Sequence, residues 1–307
     1  VILVDTTASS EPDSIEPTST PGSKSRRGLW IATGALIVVF ALLRTLPFDP
    51  RVNPVAEDDS WELALNLFAS RHDLCGKDYI FTFGPLGFMF GQAFFPATFT
   101  VKVVLQAIMC SLTTVVLVMQ GKRLIDSPFR TTMWILGLLG LYGFFADVFF
   151  LAVPILLVNQ HFLIDDRKKP PSVESLILTC LLAITAIVKF TFFVGGVWTI
   201  AFIALDEMLI KRSRPVLTIT FVCALGLSWL LSGQPIETFL NYILTSLPVA
   251  SGHSEAMTAF DTPNWLLAIL ASIASAAVLF ALFGKLAYQR LGKGMFPALL
   301  AESGLFF

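Results

Sequence analysis

Charge is what this chain has least of. Asp, Glu, Lys and Arg make up only 14% of its 307 residues, and the formal net charge is −1. Without a basic field to collect phosphates along a groove, nucleic acid is not an expected partner. Cysteine is equally sparse: the four thiols (Cys75, Cys110, Cys180, Cys223) show no metal-ligand spacing. Three of them lie inside apolar runs, where a thiol acts as a small hydrophobe, so no disulfide framework is implied. Also missing are a phosphate-cradling Gly-Lys-Ser/Thr loop, a His-Glu-x-x-His pair and a Gly-x-Ser-x-Gly elbow. ATP-driven transport and hydrolysis of the soluble type therefore get no support.

What the chain does have is apolar surface. Hydrophobic residues make up 55% of it, with 28 Phe among them, more than a water-soluble core of this length can hide. The expected class is all-α, a polytopic transmembrane helix bundle. Residues 1–27 are rich in Ser, Thr, Pro and acid, lack an apolar period and end in Lys24, Arg26 and Arg27. They are expected to form a disordered cytoplasmic tail, leaving 28–307 as one transmembrane helical domain.

Apolar runs long enough for a hydrocarbon core of roughly 30 Å fall at about 29–46, 98–119, 131–146, 148–164, 174–190, 192–210, 215–231 and 264–283. The first resembles an uncleaved anchor more than a signal peptide, since Arg44-Thr45-Leu46-Pro47 is a poor cleavage site. About eight helices result, and a further one starts at Phe296. In the 131–164 stretch Asp147 and Pro154 are expected to interrupt the helix. The chain opens on Val and stops as a new apolar stretch begins, which reads as a C-terminally truncated fragment.

With a cytoplasmic N-terminus, the inner segments collect five groups of three basic residues, from Lys24, Arg26, Arg27 to Lys285, Arg290, Lys293, out of 21 in all. The positive-inside rule then fixes the orientation. Two extracytoplasmic segments, about 47–97 and 232–263, are too long to be simple connectors. In the first, Asp58 to Ser70 has the pattern of an interfacial helix with acids at its start. The second carries a short helical pattern, Ile236 to Leu247, followed by a Gly/Ser-containing loop with His253 and Glu255. Facing one compartment, the two segments can bring their polar residues over one cavity.

The candidate chemistry sits there. Glu57, Asp58, Asp59 and Glu62 place carboxylates within two turns of chain, suited to a general base or to holding a divalent cation against a diphosphate, and equally to an acidic helix cap. Lys189, between two apolar runs, suits either a phosphate point charge or a side chain snorkelling to headgroups. Asp147 is a possible partner for it. His253 and Glu255 suit ligand contact or simple solvation, and Arg71, His72 and Lys77 are further cations near the acids. Phe81-Thr82-Phe83-Gly84-Pro85-Leu86-Gly87 reads as an apolar turn at headgroup level.

The order of tail, helix, acidic cluster with Trp61, then Gly84-Pro85-Leu86 resembles the GT-C superfamily of polytopic glycosyltransferases. It is similar, more closely, to a group of uncharacterised bacterial membrane proteins related to them, through Phe81 to Gly87, Ser232-Gly233-Gln234 and Ser251 to Met257. A single Pro with no following Tyr departs from the superfamily's Pro-Pro-Leu-Tyr pattern. The resemblance implies transfer from a polyprenyl-phosphate sugar donor on the extracytoplasmic side of the bacterial inner (plasma) membrane. Glu57, Asp58 and Asp59 would be catalytic, with Asp58 and Asp59 also ligands to Mg²⁺ or Mn²⁺. Lys189, Arg71, His253, Glu255 and Asp147 would meet substrate. The alternative is a non-enzymatic membrane protein, a transporter or a partner in envelope-polysaccharide assembly; no internal repeat links the two halves, which counts against transport.

Overall fold

The computed structural model describes residues 22–46, 60–91, 93–124, 146–165, 169–210 and 213–258. Eight α-helices run through them: α1 (Gly22–Thr45), α2 (Ser60–Arg71), α3 (Pro96–Leu124), α4 (Ala146–Asn159), α5 (Val173–Ala186), α6 (Phe190–Leu205), α7 (Val216–Leu231) and α8 (Ile236–Thr258). A short 3-10 turn, Gly87–Met89, precedes α3, and α4 and α6 each end in a π-helical turn, Gln160–Ile164 and Asp206–Ile210. Among the described residues there is no strand; extended backbone pairs only as isolated bridges, Cys75 with Tyr79 and Phe83 with Lys189.

Helix α5 is the centre of the bundle. It packs against α7, α6, α4 and α3, and Leu178, Leu181, Leu182, Ala183 and Ala186 on it are all buried. Its hydroxyls are buried without strain because Thr179 and Thr185 donate back to the carbonyls of Ser175 and Leu182. Ser172 caps its start by accepting from the Ser175 amide. The periphery is apolar as well. On α3, Val101, Val104, Ile108, Leu112, Val115 and Met119 recur at three- and four-residue steps and are all exposed, and α1 shows Ile31, Leu36, Val39 and Leu43 likewise. Polar outside and apolar inside is the water-soluble arrangement; contiguous apolar faces on both sides of a helix suit lipid.

Among the described residues two helices, Pro96–Arg123 and Phe190–Met208, are long and apolar enough to cross a membrane, or three if the bent pair of α7 and Ile236–Ala250 counts as one broken span. Trp30–Leu43, Phe150–Ile164 and Val173–Ala186 are apolar but shorter. Six of the expected spans thus coincide with helices, while 131–146 and 264–283 lie outside the described residues.

Four local expectations need correcting. Helix α1 begins at Gly22, inside the stretch expected to be disordered; Lys24, Arg26 and Arg27 are good helix formers and extend the apolar helix that follows. Pro154 does not interrupt a helix, since α4 runs through it; Asp147 stands at the start of α4, and the residues before Ala146 lie outside the described ones. Apolar helices tolerate Pro where neighbouring groups take up the freed backbone. The run 174–190 stops at Ala186, short of its expected end. Finally, Ser251 to Met257 is not a loop: α8 continues to Thr258, so the backbones of His253 and Glu255 are helical. Helix α8 turns 101° away from α7 at the Ser232–Pro235 break.

Candidate functional site

The break between α5 and α6 positions the most distinctive side chain. Ile187 leaves the helix at φ −96°, and Lys189 is fully extended at φ −145° and ψ 140°. Two carbonyls are thereby released inside an apolar bundle, where an unpaired carbonyl is costly. The Gly84-Pro85-Leu86 segment supplies the missing donors. The Gly84 amide donates to the Val188 carbonyl at 3.0 Å, the Leu86 amide to Ile187 at 3.2 Å, and the Phe190 amide to Thr82 at 2.7 Å. A Cβ on Gly84 would overlap the Ile187 carbonyl oxygen, so only glycine allows this approach. The apolar turn is present at Pro85-Leu86, and it also forms a buried stitch across a helix break: Gly84 and Pro85 are both buried.

The stitch sets an aromatic wall around Lys189. Its Nζ lies 4.7 Å from the ring centre of Phe90, 5.4 Å from Phe83 and 5.7 Å from Phe192. Trp61 of α2 stacks on Phe83 at 5.0 Å, and Phe150 of α4 stacks on Phe192 at 5.0 Å. Each ring face over a desolvated ammonium contributes about 0.5–2 kcal/mol. The side chain is half-buried, so its electrostatics act in surroundings of lower dielectric than water.

A second frame holds this end together. Helix α2 closes at His72 with φ 57°, and the Asp73 amide returns to the Phe68 carbonyl at 3.0 Å. Gln234, buried after α7, accepts from the Cys75 amide at 2.8 Å and donates to the Asp73 carbonyl at 3.1 Å. Ser246 of α8 donates to the Phe81 carbonyl at 3.1 Å. At Gly76, φ is 79° and an added Cβ would lie 2.5 Å from the Tyr242 amide nitrogen. The two long segments do meet, then, through Gln234, Tyr242 and Ser246. Beneath them the Cys75 thiol is fully buried, and desolvation pushes its pKa up to about 12. Tyr79, stacked on Phe68 at 4.5 Å, is also pushed up, by burial first and by Cys75 second.

Of the residues singled out in the sequence, the described structure places Lys189 and Glu62 in built surroundings, the Glu62 carboxylate accepting from the Ala93 amide at 3.0 Å. Glu57, Asp58 and Asp59 lie outside the described residues. Arg71 ends α2 on an exposed turn with His72, and Lys77 is exposed nearby. Asp147 is in the first turn of α4 and His253 and Glu255 are in the last turns of α8; for these three the structure describes the backbone. Among the described residues no group of three or more His, Cys, Asp or Glu side chains could hold a metal ion, and the acids expected to bind Mg²⁺ or Mn²⁺ are in the undescribed stretch.

Sequence reasoning passed over two polar groups. Lys102, in the third helix, is buried and donates to the Ala93 carbonyl; its isolation in an apolar run was the available signal. At the opposite end of the bundle, where α4 and α6 turn π-helical, His161 Nε2 and Asp206 Oδ2 are 2.9 Å apart and both side chains are almost fully buried. Residues 192–210 had been read as a plain apolar run, although Asp206 and Glu207 interrupt it. Compared with protein-family models, curated proteins and solved structures, the chain matches none.

Proposed function

We propose that this chain is a polytopic integral membrane protein of a bacterial inner membrane that transfers a sugar from a polyprenyl-phosphate donor. The observation that carries the reading is the Lys189 ammonium, half-buried at a helix break and faced by Phe83, Phe90 and Phe192. A phosphate monoester or diester on a long isoprenoid needs one localised positive charge beside a broad apolar surface, and this arrangement offers both. Lysine serves here as a point charge, with no demand for the planar two-pronged geometry of arginine.

In this reading the donor enters from the lipid side, its phosphate meets Lys189, and its first isoprene units lie along the aromatic wall. A carboxylate of Glu57, Asp58 or Asp59 removes the proton of an acceptor hydroxyl as its oxygen attacks the anomeric carbon, and polyprenyl phosphate leaves. Should Asp58 and Asp59 hold Mg²⁺ or Mn²⁺, the ion would neutralise charge on the leaving phosphate. Arg71, at the end of α2, can draw the anion inward through its field.

The test uses the full chain in lipid nanodiscs with a radiolabelled polyprenyl-phosphate sugar. Lys189→Met is expected to lose donor retention, and Asp58→Asn with Asp59→Asn is expected to retain donor but lose transfer. Donor retention by the wild type without any transfer to a panel of acceptor glycans would favour the alternative, a lipid-phosphate-binding partner in envelope-polysaccharide assembly. Equal retention by wild type and Lys189→Met would remove the site from both readings.

A further inference from the structure

The segment Gly87–Ala93 forms the roof over Lys189, and it is gripped from two sides by groups that a purely apolar contact would not require. From α2, Glu62 Oε2 accepts from the Ala93 amide at 3.0 Å, and its carboxylate occupies the space that any side chain at Gly91 would fill. From α3, Lys102 Nζ donates to the carbonyl of the same Ala93 at 3.4 Å, and Gln106 Nε2 donates to the Met89 carbonyl at 2.8 Å. The Met89 bond fixes the orientation of the Gln106 amide, since only its NH₂ can donate to a carbonyl. Lys102 is 1% exposed, Gln106 8%, Met89 1% and Ala93 1%. Between the gripped carbonyls stands Phe90, whose ring is nearest of the three to the Lys189 ammonium and also meets Trp61, Phe83, Phe150 and Phe192 at 5.1 to 6.3 Å.

Burying an ammonium is costly, and a methionine of similar length would fill the same space without that cost. The carboxylate of Glu62 is within electrostatic reach of Lys102, and both grip one residue, so the charges serve the backbone of the roof. We propose that Lys102, with Glu62 and Gln106, is a positioning residue: the three brace residues 89–93 so that the Phe90 ring stays over Lys189 and sets how far the ammonium is screened. The brace concerns the geometry of the site and rests on the donor reading only for its purpose.

The experiment measures acetylation of Lys189 by an N-hydroxysuccinimide ester, followed by mass spectrometry of the full chain in nanodiscs. Lys102→Met and Gln106→Met should each speed Lys189 modification, by about tenfold where the whole contact with Phe90 is lost. Glu62→Gln should do so more weakly, because a carboxamide oxygen can still accept from the Ala93 amide. Met109→Ala, a cavity further along α3, controls for general loosening and should leave the rate unchanged. If Lys102→Met does not fold, Gln106→Met carries the test alone. Unchanged Lys189 rates in Lys102→Met and Gln106→Met, or an equal increase in Met109→Ala, overturn the brace. Protection of wild-type Lys189 by added polyprenyl phosphate is a separate readout: its absence sinks the donor reading while an accelerated Lys102→Met still supports the brace.

Discussion

The two ends of the bundle meet the same difficulty, an ionisable group among apolar helices, in opposite ways. At the stitched end Lys189 is faced by three phenyl rings and remains half-buried. At the other end His161 and Asp206 are buried against each other, and the polar groups around them form a side-chain network. Gln160 donates to Asp165 at 2.8 Å and receives a bond from Gln120, while Asp165 accepts from the Ser175 hydroxyl at 2.7 Å. Arg123 and Glu174 close the rim at 2.7 Å. Ring faces attract a cation through its charge, whereas a hydrogen-bonded network satisfies donors and acceptors locally. The first arrangement surrounds a charge with aromatic faces; the second rigidifies.

The sharpest way to break this contrast is at the stitch. Gly84→Ala should destabilise the protein by about 3 kcal/mol or more, because its Cβ and the Ile187 carbonyl cannot share space; the readout is thermal unfolding in detergent. Of comparable size, His161→Leu or Asp206→Leu alone should cost about 3–5 kcal/mol, with the double variant recovering much of the loss. A strictly additive cycle would mean that the pair is not a unit. Lys189→Met should cost only about 1 kcal/mol, the scale of its cation–π contacts, even as it removes donor retention. A loss as large as that at His161 would erase the distinction between a rigid end and an open one.

The effect that is smallest near neutral pH concerns the Cys75 thiol. The folded protein holds the Cys75 proton more tightly than the unfolded chain, since burial raises the pKa from 9.0 to about 12. Its contribution is therefore complete below about pH 9 and is lost as pH rises toward 12. Cys75→Ser should flatten the decline in stability across that window, measured by pH-dependent melting. At pH 8 Cys75 should also resist alkylation by a water-soluble reagent in the folded protein and become reactive on unfolding.

Much of the helical layout was legible because apolar runs in a bilayer-type sequence have few alternatives to helix. Even the break near Lys189 was visible as a lone cation between two runs. What closes it was not: Gly84 read as a flexible turn, since nothing in its local sequence reveals that a carbonyl from residue 187 will lie against it. Ser251 to Met257 misled in the other direction, its Ser and Gly suggesting a loop where helix persists through Thr258. Lys102 and the His161–Asp206 pair were each readable as exceptions within apolar stretches, but their partners come from other helices and carry no short-range pattern. The carboxylates Glu57 to Asp59, the boldest feature of the sequence, lie outside the described residues.

Joining residues 82–86 to 187–190 imposes an order on biogenesis. The earlier-made segment must wait, with its amides hydrated or temporarily engaged, until about a hundred further residues have left the ribosome and the second partner arrives. In the membrane reading proposed above, the α5–α6 hairpin carries, until the early loop docks, exposed carbonyls that hydrocarbon cannot accommodate, so it is expected to linger beside the translocon or a chaperone. A nascent chain halted before residue 190 and one halted after it should accordingly differ in their release into lipid.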